Sequence, residues 1–180
     1  RKQLFQIHST GAKYVLILAG DHLYRMNYQE MARFGWENNA DMTVAVQPVL
    51  AAEAPRLGIL KREAGGMIVN FAEKPKDPTL LNSLVSRDDP ERPFLGSMGI
   101  YLFKTDALTQ ILEQHAFDDF GGQVIPHALN NHSVYGFDFE GYWEDIGTIR
   151  SFYETNLALA SPNPKLNLYD AGKPIYSHSR

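Results

Sequence analysis

An α/β fold on a mixed, mostly parallel sheet is predicted by three observations. Apolar runs alternate along the chain with segments of helical period, the pattern of strands joined by helices. The run Tyr14-Val15-Leu16-Ile17-Leu18 has no polar interruption and stops at Ala19-Gly20-Asp21-His22, as a parallel strand buried on both faces would. Residues 58–73 read as a hairpin, which adds an antiparallel excursion to the sheet.

The remaining elements follow in order. Asn27 is a plausible N-cap for a helix running through Tyr28, Met31, Ala32, Phe34 and Gly35 to Asn38-Asn39. A second strand is expected at Met42-Thr43-Val44-Ala45-Val46. In the hairpin, Gly65-Gly66 supplies the positive φ that such turns need. Residues 75–93, with four prolines, read as a long surface loop with a helical turn near 79–84. A strand is expected over 94–103 and a helix over 105–115. Asp119 can cap a helix over 121–131, and 134–139 alternates as a strand. Residues 148–160 read as a helix with Ile149, Phe152, Tyr153, Asn156 and Leu157 at helical spacing. The last twenty residues, with Pro162, Pro164 and Pro174, look like a linker.

Composition narrows the function. A chain of 180 residues is long enough for one domain with a substantial core. A formal charge of −4 with no Lys/Arg run argues against a nucleic-acid partner. No apolar run reaches the length of a membrane span. With no cysteine, disulfides and thiolate metal sites are excluded, and a reducing compartment fits. The chain opens on Arg1, Lys2, Gln3, Leu4 and Phe5 as if inside a helix tail, and ends as if entering an extended segment. It therefore reads as a piece of a longer protein.

Four segments carry more polar character than packing needs. Asp21 follows the first strand, where open α/β sheets place their ligands, and Gly20 allows close backbone approach. A turn or cap role for Asp21 is the alternative. In Phe71-Ala72-Glu73-Lys74-Pro75 a strand ends on a lysine suited to a phosphate and a glutamate able to accept from sugar hydroxyls. An exposed ion pair before a turn is the alternative there. Gly96-Ser97-Met98-Gly99-Ile100-Tyr101 marks a bulge or a close ligand approach, with a solvent-facing serine as the plain reading. It is not a nucleophile elbow, because nothing separates Gly96 from Ser97. In Tyr142-Trp143-Glu144-Asp145-Ile146-Gly147-Thr148 two carboxylates suggest a hard-cation site, with Mg²⁺ held also by substrate phosphates. Extended backbone points Glu144 and Asp145 to opposite faces, and Asp145 is the one expected to share a site with Asp21. Asp119-Phe120-Gly121 lacks the partners of a kinase motif and reads as a helix cap, and the six histidines lack metal-site spacing.

Taken in order, these four segments resemble the ADP-glucose pyrophosphorylases, or glucose-1-phosphate adenylyltransferases, and the similarity spans nearly the whole chain. The resemblance implies a Rossmann-like nucleotidyltransferase domain over residues 1–160. It also implies a linker over 161–180 leading into a left-handed β-helix domain, begun by residues 174–180. The implied reaction joins ATP and α-glucose 1-phosphate into ADP-glucose and pyrophosphate for glycogen or starch synthesis. Carried over by motif, Asp21 and Asp145 are the metal-binding catalytic aspartates, with Mg²⁺ as cofactor. Lys74 holds the sugar phosphate, and Glu73, Ser97 and Gly99 line the glucose pocket. The resemblance further implies a homo- or hetero-tetramer in a bacterial cytoplasm or a plastid.

The glycine-rich loop that cradles the nucleotide in that family has no counterpart in this sequence, so the 180-residue piece is expected to be inactive alone. Asn27 stands where relatives commonly carry Asp, and both residues cap helices. Three other readings stay open: a sibling enzyme using UTP, dTTP or GTP, a non-catalytic regulatory subunit, and a plain sugar-phosphate-binding module.

Overall fold

The structure, a computed structural model, describes residues 2–172 and 174–175. These form two compact units. The first comprises the residues up to Leu18 together with Asn27–Phe139, and the second comprises Ala19–Met26 and the described residues from Glu140 onward.

The first unit is an α/β layer structure. Its helices are α1 (Leu4–Ser9), α2 (Tyr28–Glu37), α3 (Pro78–Ser83), α4 (Thr105–Gln114) and α5 (Ile125–Asn131). Its strands are β1 (Tyr14–Ile17), β3 (Met42–Val49), β4 (Gly58–Arg62), β5 (Ile68–Glu73), β6 (Phe94–Lys104) and β7 (Val134–Asp138). The sheet order is β5-β4-β6-β3-β7, with β1 also paired to β6. The sheet is mixed. β3 and β7 pair in parallel, while β6 runs against β1, β3 and β4, so β1, β3, β4 and β7 share one direction.

Strand alternation divides the side chains between two faces. Thr43, Leu102, Tyr135 and Phe137 meet Phe34 and Gly35 of α2. A Cβ at Gly35 would stand 2.6 Å from the Thr43 hydroxyl, so the close seating of this helix requires glycine. Met42, Val44, Tyr101, Phe103 and Val134 point the other way and pack with Leu108, Ile111, Leu112, Ile125 and Ala128 of α4 and α5. Asn27 caps α2 by accepting from the Gln29 N–H, and Asp77 caps α3 by accepting from the Thr79 N–H. Gly66, at φ +88°, closes the hairpin turn.

Two expectations need correction. The apolar run predicts a parallel strand buried on both faces, but β1 is half-buried throughout and its one partner among the described residues is the antiparallel β6. It occupies an edge, where one flank contributes no covering side chains. The segment over 121–131 is not one α-helix. Asp119 does cap it, but Phe120–Val124 forms a π turn before α5 begins.

The second unit holds a two-stranded antiparallel sheet of β2 (His22–Tyr24) and β8 (Trp143–Asp145), followed by α6 (Ile149–Leu159). Thr148 and Ser151 form a reciprocal capping box at the start of α6. The apolar stripe of α6 is exposed: Ile149 is 91 % accessible, and Phe152, Tyr153 and Leu157 are each more than half exposed. Ser151 and Thr155 are buried. The capping box turns Ser151 inward and Thr155 hydrogen-bonds Tyr142, so satisfied polar groups set the helix face. Residues 161–172 carry no regular element. The expectation that 174–180 opens a further domain lies, apart from residues 174–175, outside the described residues.

Candidate active-site groups

In the second unit, the pairing of β2 with β8 sets His22 opposite Asp145 and Tyr24 opposite Trp143. Two segments from distant parts of the chain thereby bring Asp21 and Asp145 together. The Ile146 N–H donates to the Asp21 carbonyl at 3.0 Å, and the Gly147 N–H donates to Asp145 Oδ1 at 2.9 Å. A methyl group at Gly147 would stand 2.9 Å from Asp145 Oδ1 and 3.4 Å from Asp21 Oδ2. Both carboxylates therefore border one small volume that only glycine leaves open. Asp21 is 61 % exposed and Asp145 36 %, so a ligand can reach both.

His22 Nε2 lies 3.7 Å from Asp21 Oδ1 and 4.0 Å from Asp145 Oδ1. The Trp143 indole N–H donates to His22 Nδ1 at 3.3 Å, with the two rings edge to face. An indole nitrogen only donates, so Nδ1 must accept and the neutral ring carries its proton on Nε2, facing the carboxylates. Glu144 is paired across from Leu23 and borders a different cleft of about 350 Å³ with Tyr142, Ser151, Thr155 and Lys165. Burial pushes the Tyr142 phenol up, Glu144 adds to this, and the Thr155 hydrogen bond opposes it.

The Asp21–Asp145 pair suits a small hard cation, because its donors are carboxylate oxygens and the space between them is open. Among the described residues no group of three or more His, Cys, Asp or Glu side chains is arranged to hold a metal. A cation here would complete its shell with water or ligand oxygens, which is the habit of Mg²⁺.

In the first unit, β5 ends at Glu73 and the chain then bends sharply. Lys74 has φ +46°, a left-handed conformation that is uncommon for a side chain of this size. The following Pro75 narrows its options further. Such a conformation costs on the order of 1 kcal/mol and persists only when its surroundings impose it. Here the Lys74 N–H donates to the Leu57 carbonyl at 3.0 Å. The bend leaves the ammonium largely exposed, 3.6 Å from Glu73 Oε1.

The glycine-rich part of β6 forms a bulge. Val44 pairs with Tyr101 and Val46 with Ser97, so residues 98–100 stand opposite Ala45 alone, and Gly99 takes φ +67°. Ser97 is buried rather than solvent-facing. Its hydroxyl accepts from the Gly99 N–H at 3.3 Å, and its side chain hydrogen-bonds Tyr101. Burial pushes the Tyr101 phenol up, the Ser97 bond opposes this, and the Glu73 and Asp119 carboxylates push it further. The Tyr101 ring stacks on Phe120 at 5.7 Å.

Glu73, Lys74, Ser97 and Gly99 thus belong to the first unit, while Asp21 and Asp145 belong to the second. Sequence reasoning missed the parts played by His22, Trp143, Gly147 and Tyr101. Strands of three residues are too short to show a period. The one signal on offer was a histidine directly after the candidate aspartate.

A Rossmann-like α/β unit with Glu73 and Lys74 where β5 ends, and a second unit in which Asp21 and Asp145 border the space beside Gly147, point to the class of protein. Residues 2–161 match the family model described as nucleotidyl transferase. The chain belongs to that family, and its general chemistry is nucleotidyl transfer. No helix among the described residues is long and apolar enough to cross a membrane.

Proposed function

We propose that the protein is a glucose-1-phosphate adenylyltransferase, which converts ATP and α-D-glucose 1-phosphate to ADP-glucose and pyrophosphate for glycogen or starch synthesis. The observation that carries this reading is the convergence of Asp21 and Asp145 on the space beside Gly147. The choice of ATP and glucose rests on the four motifs in the sequence. In this reading the full-length protein is a homo- or hetero-tetramer of a bacterial cytoplasm or a plastid.

A phosphate oxygen of the sugar phosphate attacks the α-phosphorus of ATP. The bond from that phosphorus to the oxygen bridging to the β-phosphate breaks, and pyrophosphate leaves with the electron pair. Mg²⁺, when bound, supplies positive charge against the charge growing on the pyrophosphate. Asp21 and Asp145 would hold the cation, with His22 Nε2 3.7 and 4.0 Å from their carboxylates. Lys74 binds the sugar phosphate as a point charge and fixes the direction of attack, an entropic as much as an electrostatic contribution. Glu73 and Ser97 take the sugar hydroxyls, and Gly99 lets the sugar approach the backbone. The nucleophile is already anionic, so no side chain has to act as a base.

The test is pyrophosphate release by the full-length protein with glucose 1-phosphate, Mg²⁺ and each of ATP, UTP, dTTP and GTP in turn. A strong preference for ATP is expected. Preference for another nucleotide would keep the mechanism and change the base. No release from a folded protein that still binds glucose 1-phosphate would make it a regulatory subunit.

A further inference from the structure

The Glu73 carboxylate lies between two glycines. Gly58 on β4 is its register partner, and a Cβ there would stand 3.0 Å from Glu73 Oε2 as well as 2.6 Å from the Phe71 ring. On the other side a Cβ at Gly121 would stand 2.5 Å from Glu73 Oε2 and 2.8 Å from its Cδ. Neither glycine has a positive φ, so a side chain at either place would contest space rather than strain the backbone. Gly121 sits in the π turn, a rare feature that recurs at functional sites.

That turn is firmly held. Asp119 accepts from the Gly122 N–H, and Gln123 Oε1 accepts from the N–H groups of Asp118 and Asp119 at 3.0 and 3.1 Å. Phe120 is stacked on Tyr101, whose hydroxyl group is tied to the buried Ser97. A rigid wall therefore stands against the end of a flexible side chain that is 35 % exposed. When wall and carboxylate compete for space, the carboxylate moves.

We propose that Gly121 is a positioning residue for substrate recognition: the slot between Gly58 and Gly121 sets where the Glu73 carboxylate meets the sugar hydroxyls. This rests on the reading of Glu73 as a sugar ligand. An added methyl at 121 shifts the end of Glu73 and spares the core, so it alters sugar binding without unfolding the protein.

The experiment is a double-mutant cycle in the full-length protein with Gly121→Ala, Glu73→Ala and the pair, read by steady-state kinetics and thermal unfolding. Gly121→Ala is expected to raise KM for glucose 1-phosphate about tenfold, the scale of weakening one hydrogen bond to a charged group. KM for ATP and the unfolding midpoint stay near wild type. In the Glu73→Ala background the same change adds nothing, because no carboxylate remains to be displaced. Effects of the two substitutions that simply add, or an unchanged KM in Gly121→Ala, would overturn the positioning role while leaving Glu73 a sugar ligand. A Glu73→Ala variant with normal sugar kinetics would overturn the sugar-ligand reading and the proposal together. Should Gly121→Ala fail to fold, recovery of folding in the double variant supports the contact, and failure of both overturns it.

Discussion

At the scale of single residues, Lys74 and Asp145 show how differently a backbone can commit itself to a side chain. Lys74 accepts a left-handed conformation ahead of a proline, although its side chain is largely exposed. Strain of that kind is a pointer toward function. With Lys74→Ala, KM for glucose 1-phosphate should rise about tenfold or more while KM for ATP stays level, on the scale of losing a charged contact. A change confined to ATP would reassign the lysine to the nucleotide. Asp145, by contrast, is held in a strand register and by the Gly147 N–H. Asp145→Asn is nearly isosteric and keeps that geometry, so folding should survive. Turnover should fall about a hundredfold or more, as when one preorganised electrostatic contact is removed. An unaltered rate at limiting Mg²⁺ would take Asp145 out of the site.

At the scale of elements, helical spacing over residues 148–160 predicts α6 and leaves its orientation open. Its apolar residues recur at helical spacing, which is why the period located the helix. The period does not say which face has a neighbour. Ser151 and Thr155 face inward because each finds a hydrogen-bond partner, and Thr148 anchors the first turn through Ser151. Thr148→Ala should weaken α6 by about 1 kcal/mol. Amide exchange through α6 should then quicken roughly fivefold, and unchanged protection would show that the capping box contributes nothing. The bulge in β6 is the complementary case. Gly96 and Gly99 announced an irregularity, but only the pairing with β3 shows it to be a three-against-one insertion that buries Ser97.

At the scale of the whole molecule, polar anchoring and apolar layering act together. In the first unit Asp41 accepts from the Ser133 N–H and hydroxyl and from Lys104 Nζ, each at 3.0 Å. Burial alone would push its carboxyl up, but the Ser133 and Lys104 hydrogen bonds outweigh it and hold the group below its ordinary value. A carboxyl depressed in the folded state adds stability that is fully present above its unfolded pKa, near 4. That stability is lost as pH falls through the lower folded value. Acid unfolding below about pH 4 should therefore be less steep in Asp41→Asn than in the parent protein, and parallel acid profiles would remove Asp41 from that role. Much of this architecture was legible in advance: the alternation of strands and helices, the hairpin, the caps at Asn27 and Asp119, and the segments holding Asp21, Glu73, Lys74, Ser97 and Asp145. These depend on local chemistry, on side-chain period and on the few conformations open to glycine and proline. Hidden from the sequence were the edge position of β1, the β2–β8 pairing that joins Asp21 to Asp145 under His22, the π turn against Glu73 and the outward stripe of α6. Each depends on which distant segment comes alongside, and a linear sequence carries no distance between residues far apart in it. The sequence by itself determined which groups were available for nucleotidyl transfer and paired Asp21 with Asp145, and only the tertiary structure decided the strand pairing through which those two meet.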